Sequence, residues 1–238
     1  MNVTLINYTH EAAELLIFTK QTRLTLSPGL YEEIRSWTPE RKMEELKYMA
    51  NTVPSSWEFC DYVFLLEGVS RSYTHQQVRT RIASYAQQSM RVNDMSDFEY
   101  VYTDKNRENS FVMQEIRAVL DRIKLGYRSL RDMGQPEEDA RGILPTNIAT
   151  NIVCKFNMRT FCELAKSRMG GRTQKEYQKV INAMVNAVQA VHPWIDLFLF
   201  ANHDRNYFDE LEAFALREFP DLKKRGELLK IIDAMRKG

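Results

Sequence analysis

Residues 68–91 read GVSRSYTHQQVRTRIASYAQQSMR. The stretch holds four arginines, at positions 71, 79, 81 and 91, and it contains no lysine, aspartate or glutamate. Because like charges repel one another in a compact fold, this pattern predicts that an anion lies among the guanidinium groups. The planar guanidinium fork also suits bidentate contact with a phosphate or a carboxylate. The stretch therefore predicts a binding site for an anionic ligand.

A solvated basic helix face is the alternative interpretation of the same stretch. Neutral donors and acceptors stand between the cations and favour a binding surface instead; they are Gln76, Gln77, Ser84, Gln87, Gln88 and Ser89. Such groups can read a heterocyclic base while the arginines hold its phosphate.

The residues around the stretch predict a strand that leads into a helix. The apolar segment 58–67 is typical of a strand buried on at least one side, and Gly68 is predicted to end it. Residues 70–86 are predicted to be helical, with Gln76, Arg79 and Ala83 on one face. Arg81 then points elsewhere, or the helix ends between Arg79 and Arg81.

The rest of the chain mixes strands and helices without a regular βαβ rhythm. Further strands are predicted at 2–9, 97–103 and 146–157, and further helices at 10–24, 31–52, 108–134, 158–171 and 173–191. The remainder, to residue 238, is polar and predicted to be helical. We therefore expect a single α+β domain over 1–238, with a mixed or antiparallel sheet flanked by long helices.

Composition excludes several classes of protein. The net charge is +1 and 27% of the 238 residues are charged, which argues against a disordered tail or a general nucleic-acid coat. The three cysteines, at 60, 154 and 162, have no metal-ligand spacing, so no metal site is predicted. The chain shows no signal peptide and no apolar run of about 20 residues. We expect a soluble cytoplasmic protein that does not bind membranes or nucleic acid.

A second group of arginines stands at positions 141, 159, 168 and 172. Asn157 and Arg168 fall on one stripe of the helix predicted at 158–171, roughly 16 Å apart at 1.5 Å per residue. That span suits a large cofactor or a nucleotide. The alternative is that Arg159 and Glu163 form an ordinary surface pair at i and i+4.

Groups for acid–base or nucleophilic catalysis are scarce in the sequence. No serine, cysteine and histidine pattern indicates a nucleophile with its base. Cys154 and Cys162 lie in apolar surroundings and are predicted to be core residues, and His75 is more typical of a structural histidine than of a catalytic one. Such a protein would depend on a bound cofactor for its reaction.

The chain resembles the flavin-dependent thymidylate synthases over about residues 53–195. Their signature is Arg-His-Arg, seven residues, then Ser and an Arg two positions on, and here it reads Arg79-Thr80-Arg81, IASYAQQ, Ser89-Met90-Arg91. The segment 141–145 and the spacing of Asn157, Arg159, Arg168 and Gln174 are also similar to the family.

The resemblance implies reductive methylation of dUMP to dTMP, with methylenetetrahydrofolate as one-carbon donor and FAD, reduced by NADPH, as hydride source. It implies FAD contacts at Ser55, Glu58, Arg79, Thr80, Arg81, Gln87, Asn157, Met158, Arg159 and Glu163. It implies dUMP contacts at Gln76, Gln77, Arg79, Gln87, Gln88, Ser89, Met90, Arg91, Arg141 and Arg168. Arg168, which would polarise the uracil ring, and Ser89 are the implied catalytic residues. The family is homotetrameric, so each site would be shared between subunits.

Thr80 departs from the family signature, which has histidine at this position. Threonine keeps a hydroxyl but lacks the imidazole, so flavin contact or folate access would differ. A related enzyme that makes a hydroxymethyl pyrimidine nucleotide is therefore an alternative hypothesis. A third hypothesis, from another class, is a non-catalytic protein that binds nucleotides or RNA through its arginines.

Overall fold

The computed structural model describes residues 1–24, 27–52, 54–171, 173–200, 207–219 and 221–237. These residues form two compact units, Met1–Leu199 and Phe200–Gly238. The predicted anion site falls in the first unit. In the described part of the chain, no helix is both long and apolar enough to cross a membrane.

A four-stranded antiparallel sheet forms the centre of the first unit. Its strands are β1 (Asn2–Tyr8), β2 (Asp61–Ser70), β3 (Ala83–Gln87) and β4 (Ala149–Asn157), in the order β1-β2-β4-β3. On the two central strands, apolar residues alternate with others, and every second side chain is buried. Phe64 of β2 lies opposite Cys154 of β4, and both are fully buried. The predicted α+β class is confirmed, and the sheet is antiparallel rather than mixed.

Helices of the first unit pack around this sheet, and the last two helices of the chain belong to the second unit. In chain order they are α1 (Ala12–Gln21), α2 (Leu30–Arg35), α3 (Pro39–Ala50), α4 (Arg71–Gln77), α5 (Asp104–Glu108), α6 (Ser110–Asp132), α7 (Glu137–Ala140), α8 (Met158–Arg168), α9 (Lys175–Val191), α10 (Asp196–Leu199), α11 (Tyr207–Glu218) and α12 (Leu222–Lys237). The predicted helical remainder is confirmed for α11 and α12, whereas residues 201–206 lie outside the described residues.

The helix predicted over 70–86 is wrong in its second half. Helix α4 ends at Gln77, and the chain turns and enters β3, so Gln76, Arg79 and Ala83 do not share a helix face. Pairing of Ala83 with Phe156 on β4 overrides the weak helical pattern. The hydroxyl of Tyr85 donates to the carbonyl oxygens of Gln77 and Thr80 (2.9 and 2.8 Å) and so fixes the turn.

The predicted end of β2 is also wrong. Gly68 does not end the strand, which continues to Ser70. Gly68 has φ +64° and stands where the register between β2 and β4 shifts, so it marks a bulge that side-chain-bearing residues would strain to adopt.

The strand predicted at 97–103 does not form either. Phe98, Tyr100 and Tyr102 alternate with polar residues, but β4 is already paired on both of its edges. Tyr100 reaches only Ile148, just before β4, in an isolated bridge. Phe98 instead packs with Leu120 of α6 in a small apolar cluster.

The predicted long amphipathic helix is confirmed as α6. The side chain of Asn109 caps its first turn, and Gly134, at φ +84°, follows its last residues. Leu120 and Tyr127 point into the core, whereas Phe111 and Leu125 lie on the opposite face and are 82% and 63% exposed. Helix α6 therefore carries apolar side chains on its outer face as well as on its buried one.

Candidate active site

Three arginines from separate segments converge beside the end of β3. Arg71 is the first residue of α4, and its Nη2 donates to the carbonyl oxygen of Gln88 at 2.6 Å. Burial lowers the pKa of the Arg71 guanidinium, and the neighbouring charge of Arg141 lowers it further. Arg91 and Arg141 meet at Glu138. We call Arg71, Arg91 and Arg141 the arginine cluster.

Glu138 connects two members of the arginine cluster. The Nε of Arg91 lies 2.7 Å from Oε2 of Glu138, and the Nε of Arg141 donates to the carbonyl oxygen of the same residue at 3.1 Å. Within the described residues, Arg71 and Arg141 have no carboxylate within 4 Å. One carboxylate among three cations leaves net positive charge, which suits a dianionic phosphate.

The loop 88–91 carries polar atoms into the arginine cluster. The hydroxyl of Ser89 accepts from the main-chain N–H of Arg91 at 3.1 Å, and the N–H of Gln88 donates to the carbonyl oxygen of Asn151 at 3.0 Å. The side chain of Gln87 donates to Thr74 Oγ1 at 3.0 Å. Met90 packs against the apolar cluster that includes Phe98, which anchors this loop.

Arg168 lies on the last turn of α8, next to the aromatic side chain of Tyr177. Its Nε is buried and has no hydrogen-bond acceptor among the described residues. Its Cζ lies 5.1 Å from the centre of the Tyr177 ring. An unpaired guanidinium donor at a partly buried position fits an anionic or carbonyl-bearing ligand, because such a donor is costly to leave unsatisfied.

The two glutamines of α4 have different surroundings. Gln76 is partly exposed and donates to the side-chain oxygen of Gln174. Gln77 is fully buried, and its side-chain oxygen accepts from the hydroxyls of Tyr73 and Tyr177. Gln76 is therefore open to a ligand, while Gln77 belongs to the core behind it.

The residues expected to contact FAD divide into two segments. Arg79, Thr80 and Arg81 form the turn between α4 and β3, and within the described residues neither arginine has a carboxylate within 4 Å. The register Ala83–Phe156 places this turn beside the end of β4, where α8 begins. The structure thus brings Arg81 and Asn157 to the same end of the sheet.

The first turn of α8 carries the second segment. Asn157 caps the helix by accepting from the N–H of Thr160 at 2.8 Å. Arg159 donates to Glu163 at 3.1 Å and to Glu58 at 2.7 Å, so the predicted surface pair is present and Glu58 joins it. These two carboxylates already neutralise Arg159, which leaves Arg79 and Arg81 as the stronger cations at this end of the sheet.

Three other residues named from the sequence are engaged elsewhere or not described. The hydroxyl of Ser55 accepts from Arg23 at 2.6 Å. Met158 is fully buried in the core, and its main-chain N–H donates to the carbonyl oxygen of Cys60 at 2.7 Å. Arg172 lies outside the described residues.

The cysteines offer no nucleophile to this site. Cys154 and Cys162 are buried, which confirms that they are core residues. Burial raises the pKa of each thiol to about 12, so both remain protonated at neutral pH.

A comparison with known protein families matches the part of the chain that contains these site residues. A family model described as thymidylate synthase complementing protein matches residues 4–194, which is most of the chain and includes both groups of arginines. The chain belongs to the flavin-dependent thymidylate synthase family. The family resemblance read from Arg79 to Arg91 is thereby confirmed.

Three relatives carry the name flavin-dependent thymidylate synthase. The protein of Nitratidesulfovibrio vulgaris is 31% identical over 68% of this chain and 70% of its own length. That of Clostridium tetani is 30% identical over 81% of this chain and 84% of its own. That of Saccharolobus solfataricus is 29% identical over 94% of this chain and 87% of its own.

Four residues of this family member were not singled out as site residues from the sequence. Arg71 was counted among the cations, but its place beside Arg141 depends on the fold. Glu138 belongs to an acidic run without a recognisable motif, and Tyr177 stands on the helix predicted at 173–191 without any pattern that marks it as a site residue. Gln174 was noted only for its spacing. Contacts between distant segments, which a sequence does not show, bring all four to the site.

Proposed function

We propose that this chain is a FAD-dependent enzyme that converts dUMP to dTMP. The arginine cluster supports this proposal most directly, because it joins three cations from separate segments around one carboxylate. In the balanced reaction, methylenetetrahydrofolate would give its one-carbon unit to C5 of the uracil, and NADPH would give a hydride through the flavin. One proton is consumed, and tetrahydrofolate and NADP⁺ are released.

The arginine cluster would bind the phosphate of dUMP. Arg71 and Arg141 lack a carboxylate partner among the described residues, so a phosphate dianion would relieve their mutual repulsion. The Ser89 hydroxyl and the main-chain N–H groups of Ser89 and Met90 would add neutral donors, since those of Gln88 and Arg91 already donate within the protein. Gln87 and Gln88 stand beside this loop and would contact the sugar or the base.

Arg168 would act on the uracil ring. Its buried, unpartnered Nε shows that the guanidinium has unused donors. A guanidinium beside the N3 and carbonyl edge stabilises negative charge there, which makes C5 more nucleophilic. Gln76 lies at the open end of the same region and would help to orient the base. The chain then needs no protein nucleophile, in agreement with its protonated cysteines.

The residues at the other end of β3 fit the flavin cofactor. FAD carries a pyrophosphate, and Arg79 and Arg81 are exposed cations without carboxylate partners in the described chain. Asn157, Arg159 and Glu163 would supply a neighbouring subunit's share of that site, and Glu58 lies in a segment expected to contact the flavin. When bound, FAD would supply the hydride that completes the methyl group.

Assembly into a homotetramer is part of the proposal. The exposed apolar side chains of α6, Phe111 and Leu125, and the 72% exposed Ile82 beside the FAD turn suit a subunit interface. Several chains around one site would also explain why its two parts lie apart within a single chain.

Thr80 supports a second candidate, a flavin-dependent enzyme that transfers a hydroxymethyl group. Thr80 is partly buried, and its carbonyl oxygen holds the hydroxyl of Tyr85. Its side chain lacks the imidazole of the family signature, so the access of water or folate to the reaction intermediate would differ.

Product analysis decides between these candidates. The FAD-loaded protein is incubated without oxygen with NADPH, dUMP and methylenetetrahydrofolate, and the nucleotide product is identified by mass spectrometry. A methyl product supports dTMP synthesis, and a hydroxymethyl product supports the second candidate. A protein that shows no flavin absorbance after FAD is added, yet binds long RNA with a steep salt dependence, would instead be a nucleic-acid-binding protein.

A further inference from the structure

A buried hydrogen-bonded group lies directly behind Arg168. Tyr73 of α4 and Tyr177 of α9 both donate their hydroxyls to the side-chain oxygen of Gln77, and all three residues are fully buried. The two tyrosine rings also contact one another, with centroids 4.8 Å apart. This arrangement ties the first turn of α9 to the last turn of α4, and it leaves the Tyr177 ring little freedom to rotate.

Arg168 rests against this fixed ring. Its Cζ lies 5.1 Å from the Tyr177 ring centroid, a distance at which the guanidinium is attracted to the π face. Its Nε is enclosed without an acceptor among the described residues. The contact therefore orients the guanidinium and leaves its Nε donor without a partner in the described chain.

The backbone that follows Arg168 gives the side chain little other support. Met169 caps α8 through its N–H, and two glycines, Gly170 and Gly171, come next. No atom lies within 4 Å of where a Cβ on either glycine would stand. An arginine side chain has many accessible rotamers, so a neighbour that selects one orientation matters at this position.

We infer that Tyr177 is a positioning residue that holds the Arg168 guanidinium in the orientation needed for the uracil ring. The inference rests on the proposed function, since it assigns the partner through which Arg168 would act. Tyr177 itself is fully buried, so it would act on the substrate through Arg168.

The hydroxyl of Tyr177 is fit for this role at neutral pH. Burial raises the pKa of Tyr177 to about 12, although the nearby Arg168 charge opposes the rise. The phenol therefore stays protonated and keeps its hydrogen bond to Gln77, and the ring stays in place beneath the guanidinium.

A double-mutant cycle on dUMP affinity tests the inference, with calorimetric binding as the readout. Tyr177→Phe keeps the ring and should leave the Kd for dUMP within about twofold of the parent. Tyr177→Leu removes the π face and should weaken dUMP binding about tenfold, with a matching fall in kcat. In an Arg168→Ala background, Tyr177→Leu should change the Kd by less than about twofold. Tyr177→Met, which fills a similar volume, replaces the leucine variant if the latter does not fold.

Tyr73→Phe is the matched control, because it removes a hydroxyl that donates to Gln77 but keeps the ring that packs against Tyr177. Its effect on dUMP affinity should be small and equal in both backgrounds. The inference is overturned if a folded Tyr177→Leu or Tyr177→Met variant binds dUMP as tightly as the parent. It is also overturned if the substitution weakens dUMP binding by the same factor in the Arg168→Ala background. Neither outcome would contradict the proposed function. A parent protein that neither binds nor converts dUMP overturns the proposed function, and the inference with it.

Discussion

The Nε of Arg91 lies 2.7 Å from a carboxylate oxygen of Glu138. This carboxylate is the internal anion of the arginine cluster, and Arg141 donates to the main chain of the same residue. A phosphate that enters the cluster would compete with Glu138 for Arg91. Glu138 should therefore weaken the binding of dUMP while keeping the cations from repelling one another.

Replacing Glu138 by glutamine should tighten dUMP binding. Glu138→Gln keeps a side chain that can accept a hydrogen bond from Arg91 but removes the negative charge. Because both side chains are exposed and screened, we expect a modest gain of about two- to fivefold in affinity. Calorimetric titration with dUMP measures it. Glu137→Gln, which changes a neighbouring carboxylate paired with Arg131, should leave the affinity unchanged. Weaker binding by Glu138→Gln would mean that this carboxylate organises the cluster rather than opposing the ligand.

Truncating Arg141 should remove affinity for the phosphate and leave base recognition intact. Arg141→Ala is expected to weaken dUMP binding about 10- to 100-fold, as for loss of a charged hydrogen bond. Binding of deoxyuridine, which lacks the phosphate, should not change. An equal loss for nucleotide and nucleoside would contradict the assignment of Arg141 to the phosphate.

Arg168→Ala should abolish turnover while FAD still binds. The lost guanidinium no longer stabilises negative charge on the uracil ring, so kcat should fall at least about 100-fold. Flavin absorbance after gel filtration reports cofactor retention. Lys166→Ala, an exposed substitution on the same helix, is the control and should keep full activity. Near-normal kcat in Arg168→Ala would remove this residue from the chemistry.

Ser89→Ala should impair dUMP handling without unfolding the protein. The Ser89 hydroxyl accepts from the N–H of Arg91, so its loss should both remove a donor to the ligand and loosen the loop 88–91. We expect a rise in KM for dUMP of about tenfold at an unchanged melting temperature. Unchanged kinetics would make Ser89 a structural residue.

The fold class was predictable because the clearest strand and helix patterns in the sequence correspond to elements of the structure. The alternation on β4 and the amphipathic α6 both formed where they were expected. Residues 70–86 misled because an edge strand is specified by its partner: Ala83 to Gln87 become β3 only through their pairing with β4. Residues 97–103 misled in the opposite sense, since they alternate like a strand but form only an isolated bridge next to β4, which is already paired on both edges.

The site was predictable in its cations and not in its supporting contacts. The motif from Arg79 to Arg91 identified residues that the structure places at the two ends of β3, about 13 Å apart at 3.3 Å per residue. The Glu138 carboxylate contacts Arg91, 47 positions away, and the Tyr177 ring contacts Arg168, 9 positions away. No local sequence pattern predicts either contact.

Subunit complementation tests most directly whether separate chains share one site. Arg81→Ala alters the expected FAD turn and Arg141→Ala the arginine cluster, and each variant alone should have little activity. Mixed, unfolded together and refolded, the two variants should form hybrid oligomers in which some sites combine intact parts, and a substantial fraction of dTMP synthesis should return. No recovery at any mixing ratio, in hybrids whose formation is shown by differently tagged chains, would contradict the account.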